Sequence, residues 1–252
     1  MKSKLNVGAC ILTLVYFTLA SSPLPAQDPP PGLVRKIAER EARNFDERSH
    51  YAYRQEVQLE DFPARAPAGR YRETREVIFS PQGERTERLT GTPQSHLSRL
   101  VLTPEDFEDI RNIQPLLLTP ELLPRYEIRF RGEETMDGHD CWVLEMRPRQ
   151  ILAGMRLFEG MLWAEKEGLN IIRTEGQAVP PVYSHVEGKE SENLFPRFMT
   201  TRAPFDGYWF PTLTFADDTL PFRTGPLRVK MTIRYTDYQR FGAESKITFE
   251  EK

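Results

Sequence analysis

Between Leu33 and Phe45 the apolar positions recur at helical spacing. Leu33, Val34, Ile37, Ala38, Ala42 and Phe45 form one stripe, and Arg35, Lys36, Glu39, Arg40 and Arg43 occupy the other side. This is the pattern of an amphipathic helix with one face against a core. At Tyr51 the period changes to two: Tyr51, Tyr53, Gln55, Val57 and Leu59 alternate with Ala52, Arg54, Glu56 and Gln58. Successive side chains of a strand point to opposite faces, so this stretch reads as a half-buried strand. Arg70 to Ser80 repeats the pattern with Tyr71, Val77 and Phe79 on one face, interrupted by Glu73 and Arg75. Further strands are expected over Arg125 to Thr135, His139 to Arg147, Met155 to Glu165, Leu169 to Gln177, Phe195 to Ala203, Tyr208 to Phe215, Leu227 to Tyr238 and Ser245 to Glu250. Asp137-Gly138 is the strongest hairpin signal, because a two-residue turn needs positive φ at its centre. Roughly ten strands without alternating helices predict a mainly β (α+β) fold built on a single large antiparallel sheet.

One stretch breaks the alternation. From Leu97 to Leu123 the chain is rich in leucine, with a helix start at Thr103-Pro104-Glu105-Asp106. There, a capping threonine precedes proline in the first turn, followed by acid. Thr119-Pro120-Glu121 offers a second start that Pro124 stops quickly. So much apolar surface cannot be left in water. The insert is therefore expected to lie on the sheet as a lid or plug. A curved sheet covered in this way can enclose more volume than its side chains fill. The expected cavity and lid residues are Leu97, Leu100, Phe107, Ile110, Leu117, Leu118 and Leu122 on the insert, facing Phe130 and Trp163 on the strands.

The N-terminal stretch carries a different message. Lys2 and Lys4 precede an apolar run from Val7 to Ala20, followed by Leu24-Pro25-Ala26-Gln27. That order is expected of a cleavable secretory signal over residues 1–26. The apolar run is shorter than the roughly 20 residues a spanning helix requires. Cys10 stands before the apolar stretch rather than after it, which argues against lipidation. Residues 27–32 are a Pro-rich linker, and 33–252 are read as one domain with the insert 97–123. Export makes the expected location periplasmic in a bacterium, with no transmembrane span left after cleavage.

Composition narrows the chemistry. The formal charge is −3, and losing Lys2 and Lys4 makes it more negative, which argues against nucleic acid as a partner. Beyond the signal only Cys141 remains, so no disulfide framework supports the fold and the apolar core must. A chain of this length can bury about 70% of its unfolded surface. His50, His96, His139 and His185 match no metal-ligand spacing, and no nucleophile elbow, phosphate loop or dinucleotide fingerprint is present. No metal, cofactor or catalytic residue is therefore expected. His139 and Cys141 share a strand face and could touch, but a free cysteine is more often a small buried hydrophobe.

Gly132-Glu133-Glu134, Asp137-Gly138, Cys141-Trp142-Val143-Leu144-Glu145, Pro148, Gly160-Met161-Leu162-Trp163-Ala164-Glu165 and Ile171-Ile172-Arg173 together resemble the periplasmic lipoprotein carriers (LolA-like) and the outer-membrane lipoprotein-sorting proteins. The export signal, the helix before the first strand and Tyr235-Thr236-Asp237-Tyr238 extend the resemblance. It implies a half-barrel with helices over its concave face, binding acyl chains between them. The leading expectation is thus a non-enzymatic carrier whose partner is a lipid or acylated lipoprotein. The alternative is a regulatory or envelope-assembly component that binds other envelope proteins and fills its cavity with its own side chains. An enzyme ranks last, for want of convergent polar groups.

Overall fold

The first helix, α1 (Leu33–Arg48), runs three residues beyond the predicted stripe. In this computed structural model residues 30–80, 84–113, 116–152, 155–180, 182–186, 189–193 and 195–240 are described. The expected signal over 1–26 and the expected strand Ser245 to Glu250 lie outside them. Leu33, Ile37 and Ala38 of α1 are buried as the stripe predicts, but the buried line then continues through Glu41, Asn44 and Arg48. Ala42 and Phe45 are only half-buried. The second half of the helix thus presents polar groups to the interior.

The strands follow as β1 (Tyr51–Phe62), β2 (Gly69–Phe79), β3 (Arg85–Leu89) and β4 (Gln94–His96). After α2 (Pro104–Asn112) come β5 (Tyr126–Met136), β6 (His139–Pro148), β7 (Leu157–Glu165) and β8 (Ile171–Val179). A small hairpin, β9 (Val182–Val186) and β10 (Lys189–Asn193), precedes β11 (Phe198–Phe205), β12 (Tyr208–Leu220) and β13 (Leu227–Arg240). Eleven strands form one sheet in the order β3-β2-β1-β13-β12-β11-β8-β7-β6-β5, with β4 also on β2. All its pairings are antiparallel. Among the described residues the end strands β3 and β5 do not pair with one another, so the sheet is open. The predicted hairpin stands between β5 and β6, with φ 51° at Asp137 and 83° at Gly138. Strands β3, β4, β9 and β10 are short additions to the predicted set. Arg85–Leu89 carries charge at Arg85, Glu87 and Arg88 and has no buried face, as suits an edge strand.

The insert is tied down at its start by one carboxylate. Asp61, fully buried at the end of β1, accepts hydrogen bonds from the backbone N–H groups of Ser98, Arg99 and Leu100 at 3.1, 2.6 and 2.8 Å. Only glycine permits this approach from the neighbouring strand: a Cβ on Gly69 would lie 2.3 Å from the nitrogen of Ser98. Helix α2 begins at the predicted cap, where Asp106 Oδ2 accepts from the backbone N–H (2.7 Å) and hydroxyl (3.1 Å) of Thr103. The second predicted start yields no helix beyond a 3-10 turn at Leu123–Arg125, because Pro124 leaves no room to propagate.

Both faces of the sheet carry apolar side chains, unequally. The large core lies on the inner face beneath α1 and the insert. Leu144 and Met146 of β6, Phe158 and Leu162 of β7 and Met231 and Ile233 of β13 are all at most 1% exposed there. A smaller outer cluster joins Cys141, Val143, Trp163 and Ile172, flanked by Met136, Met161 and Trp209. Register shifts between Phe130 and Gly132 and between Trp163 and Ala164 change which residues face inward along β5 and β7.

Candidate functional site

The nine residues expected to form the cavity separate into three groups. Ile110, Leu118 and Phe130 are buried in the large core, at 3%, 0% and 6% exposure. Leu97, Leu100, Phe107 and Leu122 pack against that core half-buried, and Leu117 is also half-buried. Trp163 does not join them. It lies in the outer cluster, where its indole N–H donates to Glu134 Oε2 (2.9 Å). Phe130 and the insert residues Ile110 and Leu118 thus belong to one large core, from which Trp163 is separate.

What remains open is a void of about 230 Å³ where the insert meets α1 and the sheet. Phe45 and Arg48 from the end of α1 form one wall, and Arg111, Asn112 and Ile113 from the end of α2 another. Leu116, Leu117 and Leu122 of the insert cover it, over Tyr126, Leu157 and Phe158 of the sheet. No acidic side chain is among these lining residues. A larger cleft of about 480 Å³ lies elsewhere and is lined mostly by polar groups such as Glu56, Gln58, Arg72 and Arg234, which do not suit hydrocarbon.

The polar interior beside the void is built from α1. Arg202 of β11 donates from Nη1 to Glu41 Oε2 (2.5 Å) and from Nη2 to the carbonyl of Leu116 (2.7 Å), so it joins helix, sheet and insert. Burial raises the Glu41 carboxyl above its ordinary value, against the opposing pull of Arg202 and Arg48. Arg48 is 9% exposed, stacks over the Phe45 ring at 5.3 Å, and its Nε has no hydrogen-bond partner. Its position at the C-terminal end of α1 sets it against the helix dipole, an interaction of about 0.3–1 kcal/mol. That is less than the several kcal/mol that burying an ion costs. On α2, burial raises Asp109 to about 7, although Arg156 Nη2 stands 2.6 Å from its carboxylate.

Sequence reasoning missed Glu41, Asn44, Arg48 and Arg202, because polar residues within a helix or strand read as solvent-facing. The one usable signal was that Glu41, Asn44 and Arg48 continue the spacing of Leu33 and Ile37. The Cys141 thiol is buried, raised to about 11 by that burial, and its Sγ lies 3.4 Å from the carbonyl of His139. The His139 ring instead meets Trp209 edge-on at 5.4 Å. Among the described residues no three His, Cys, Asp or Glu side chains come together as a metal site would need. Nor is any helix among them long and apolar enough to cross a membrane.

No family model and no curated protein matches the chain. Among solved structures it is similar to a DUF1329 family protein from Desulfovibrio piger (14% identity, TM-score 0.45, covering 87% of this chain and 96% of that one). It is also similar to a LolA superfamily protein from Nitrosomonas europaea (14% identity, TM-score 0.36, covering 84% and 97%). A third is the MucA/MucB complex of Pseudomonas aeruginosa (12% identity, TM-score 0.23, covering 82% and 99%). At these scores the likeness is distant.

Proposed function

We propose that the protein is an exported, non-enzymatic binding or carrier protein that holds an acyl chain of a lipid or lipoprotein between the insert and the inner face of the sheet. Residues 1–26 act as the cleaved signal and 33–252 as one periplasmic domain. The observation that carries this reading is the void between Leu117, Leu122, Leu157 and Phe158, apolar on most sides and continuous with the large core. A hydrocarbon chain gains about 0.8 kcal/mol per methylene buried. Micromolar affinity requires about 8 kcal/mol, so roughly ten methylenes must be enclosed. The void holds about eight water volumes at ~30 Å³ each. A chain of that length therefore displaces part of the insert, which acts as the lid.

The test is mass spectrometry of organic extracts from the purified protein, alongside binding of the neutral fluorophore N-phenyl-1-naphthylamine. Co-purified acylated material and saturable fluorophore binding are expected. Absence of both would overturn the carrier reading. It would favour a protein-binding envelope component, a reading supported by the complete burial of Leu118, Leu144 and Met146 on the inner face.

A further inference from the structure

Arg48 is a buried guanidinium that no carboxylate among the described residues touches, Glu41 acting on it only from beyond contact distance. Its Nε has no partner, and the carboxylates near it on α1 are engaged elsewhere: Glu41 with Arg202, and Glu47 with Arg240 (2.7 Å) and His50 (3.6 Å). The void that Arg48 lines contains a second guanidinium, Arg111, and the amide of Asn112, but no acid among the described residues. Arg111 is held by Glu108 of its own helix at 3.0 Å and is about one-third exposed, so it marks the rim, while Arg48 lies inside. A buried guanidinium left unneutralised is strongly unfavourable, and a planar carboxylate or phosphate oxygen pair matches its donors. The other walls accept only hydrocarbon.

Resting on the carrier reading, we infer that the ligand is a single-chain amphiphile with an anionic head, carboxylate or phosphate, and that Arg48 binds that head while the chain fills the space under the insert. The volume of about 230 Å³ lies below the ~300–1,000 Å³ of sites that enclose drug-sized ligands, so one chain already requires the insert to move and a second would require a far larger opening. The unpaired guanidinium is the cost that the free protein bears for this selectivity, which lies in the head and not in the chain.

The experiment displaces N-phenyl-1-naphthylamine from the wild-type protein with dodecanoate, dodecyl phosphate, dodecyl maltoside and dodecyltrimethylammonium, below their micellar concentrations, and with inorganic phosphate alone. The two anionic amphiphiles are expected to compete at concentrations about tenfold lower than the neutral one, the effect of one charge-assisted contact. The cationic one should be weakest and inorganic phosphate without effect. Arg48→Met keeps the apolar volume; it should abolish the preference for anionic over neutral amphiphiles and leave Tm equal or higher. Arg48→Lys should retain part of the preference. Equal competition by anionic and neutral amphiphiles in the wild type would overturn this inference and leave the carrier reading standing. Displacement by inorganic phosphate as strong as by dodecyl phosphate would overturn the amphiphile in favour of a free oxyanion. Failure of the fluorophore and of every amphiphile to bind would overturn both readings together.

Discussion

Arg202 and Arg48 are both nine-tenths buried or more, one bonded to Leu116 of the insert and the other lining a void with it, and they differ in what faces them. Around Arg202 the chain supplies a carboxylate from α1 and a carbonyl from the insert, so the guanidinium joins three parts of the fold. Around Arg48 it supplies an aromatic face and a void, with Glu41 bonded to Arg202 and acting on Arg48 only from beyond contact distance. A buried charge with its partners in place is architecture, and removing one partner harms the whole. A buried charge beside empty space stores a demand that only something from outside can meet.

Breaking the first arrangement should give the largest effect. Arg202→Met leaves Glu41 buried and unpaired, with an expected loss of about 3–5 kcal/mol in denaturant unfolding. Adding Glu41→Leu should recover most of it, because replacing a whole buried pair by apolar groups is close to neutral. Asp61→Ala removes the acceptor for three backbone donors at the start of the insert and should cost about 3 kcal/mol. Lost binding without lost stability would mean that this carboxylate positions the insert without supporting the fold.

Leu117 tests the boundary between the two regions. Because it is half-buried and lines the void, Leu117→Asn should lower N-phenyl-1-naphthylamine binding several-fold while costing only about 1 kcal/mol of stability. The adjacent Leu118→Ala should cost the 2–5 kcal/mol typical of a fully buried leucine and serves as the reference. The smallest effect on stability, and the only one with a sign that can favour the variant, is expected for Arg48→Met. A clear drop in its Tm would show that the guanidinium has a structural partner after all and would remove the contrast with Arg202.

The sheet was legible wherever apolar and polar residues alternate over many positions, as in β1, β6 and β13, and wherever turn chemistry is local, as at Asp137-Gly138 and Thr103-Pro104. β3 and β4 were not, because an edge strand such as Arg85–Leu89 is kept charged and has no face to betray it. That Phe130 and Trp163, both expected to face the insert, lie in different clusters has a related reason. A bulge shifts the inside-outside register by one, and neither the shift after Phe130 nor the one after Trp163 leaves a mark in the alternation. The site itself was half legible. Periodicity located the insert and its leucines, whereas Arg48, which lines the void, and Glu41 and Asn44 beside it lie on a face where the rule expects hydrocarbon.

The place of β13 in the sheet has a bearing on how the chain comes to fold. This strand, last among those described, lies between β1 and β12, pairing with β1 from Tyr51↔Arg240 to Phe62↔Arg228. During synthesis, β1 to β3 and β5 to β12 can form separate pieces of sheet, but no strand pairing joins them until residues 227–240 have emerged. Until then β1 and β12 are both open edges, each long and partly apolar, of the kind that recruits foreign strands. Contacts between residues so far apart in sequence also make the closing step slow. The nascent protein thus spends an interval as two unjoined half-sheets, when a holding chaperone has most to do.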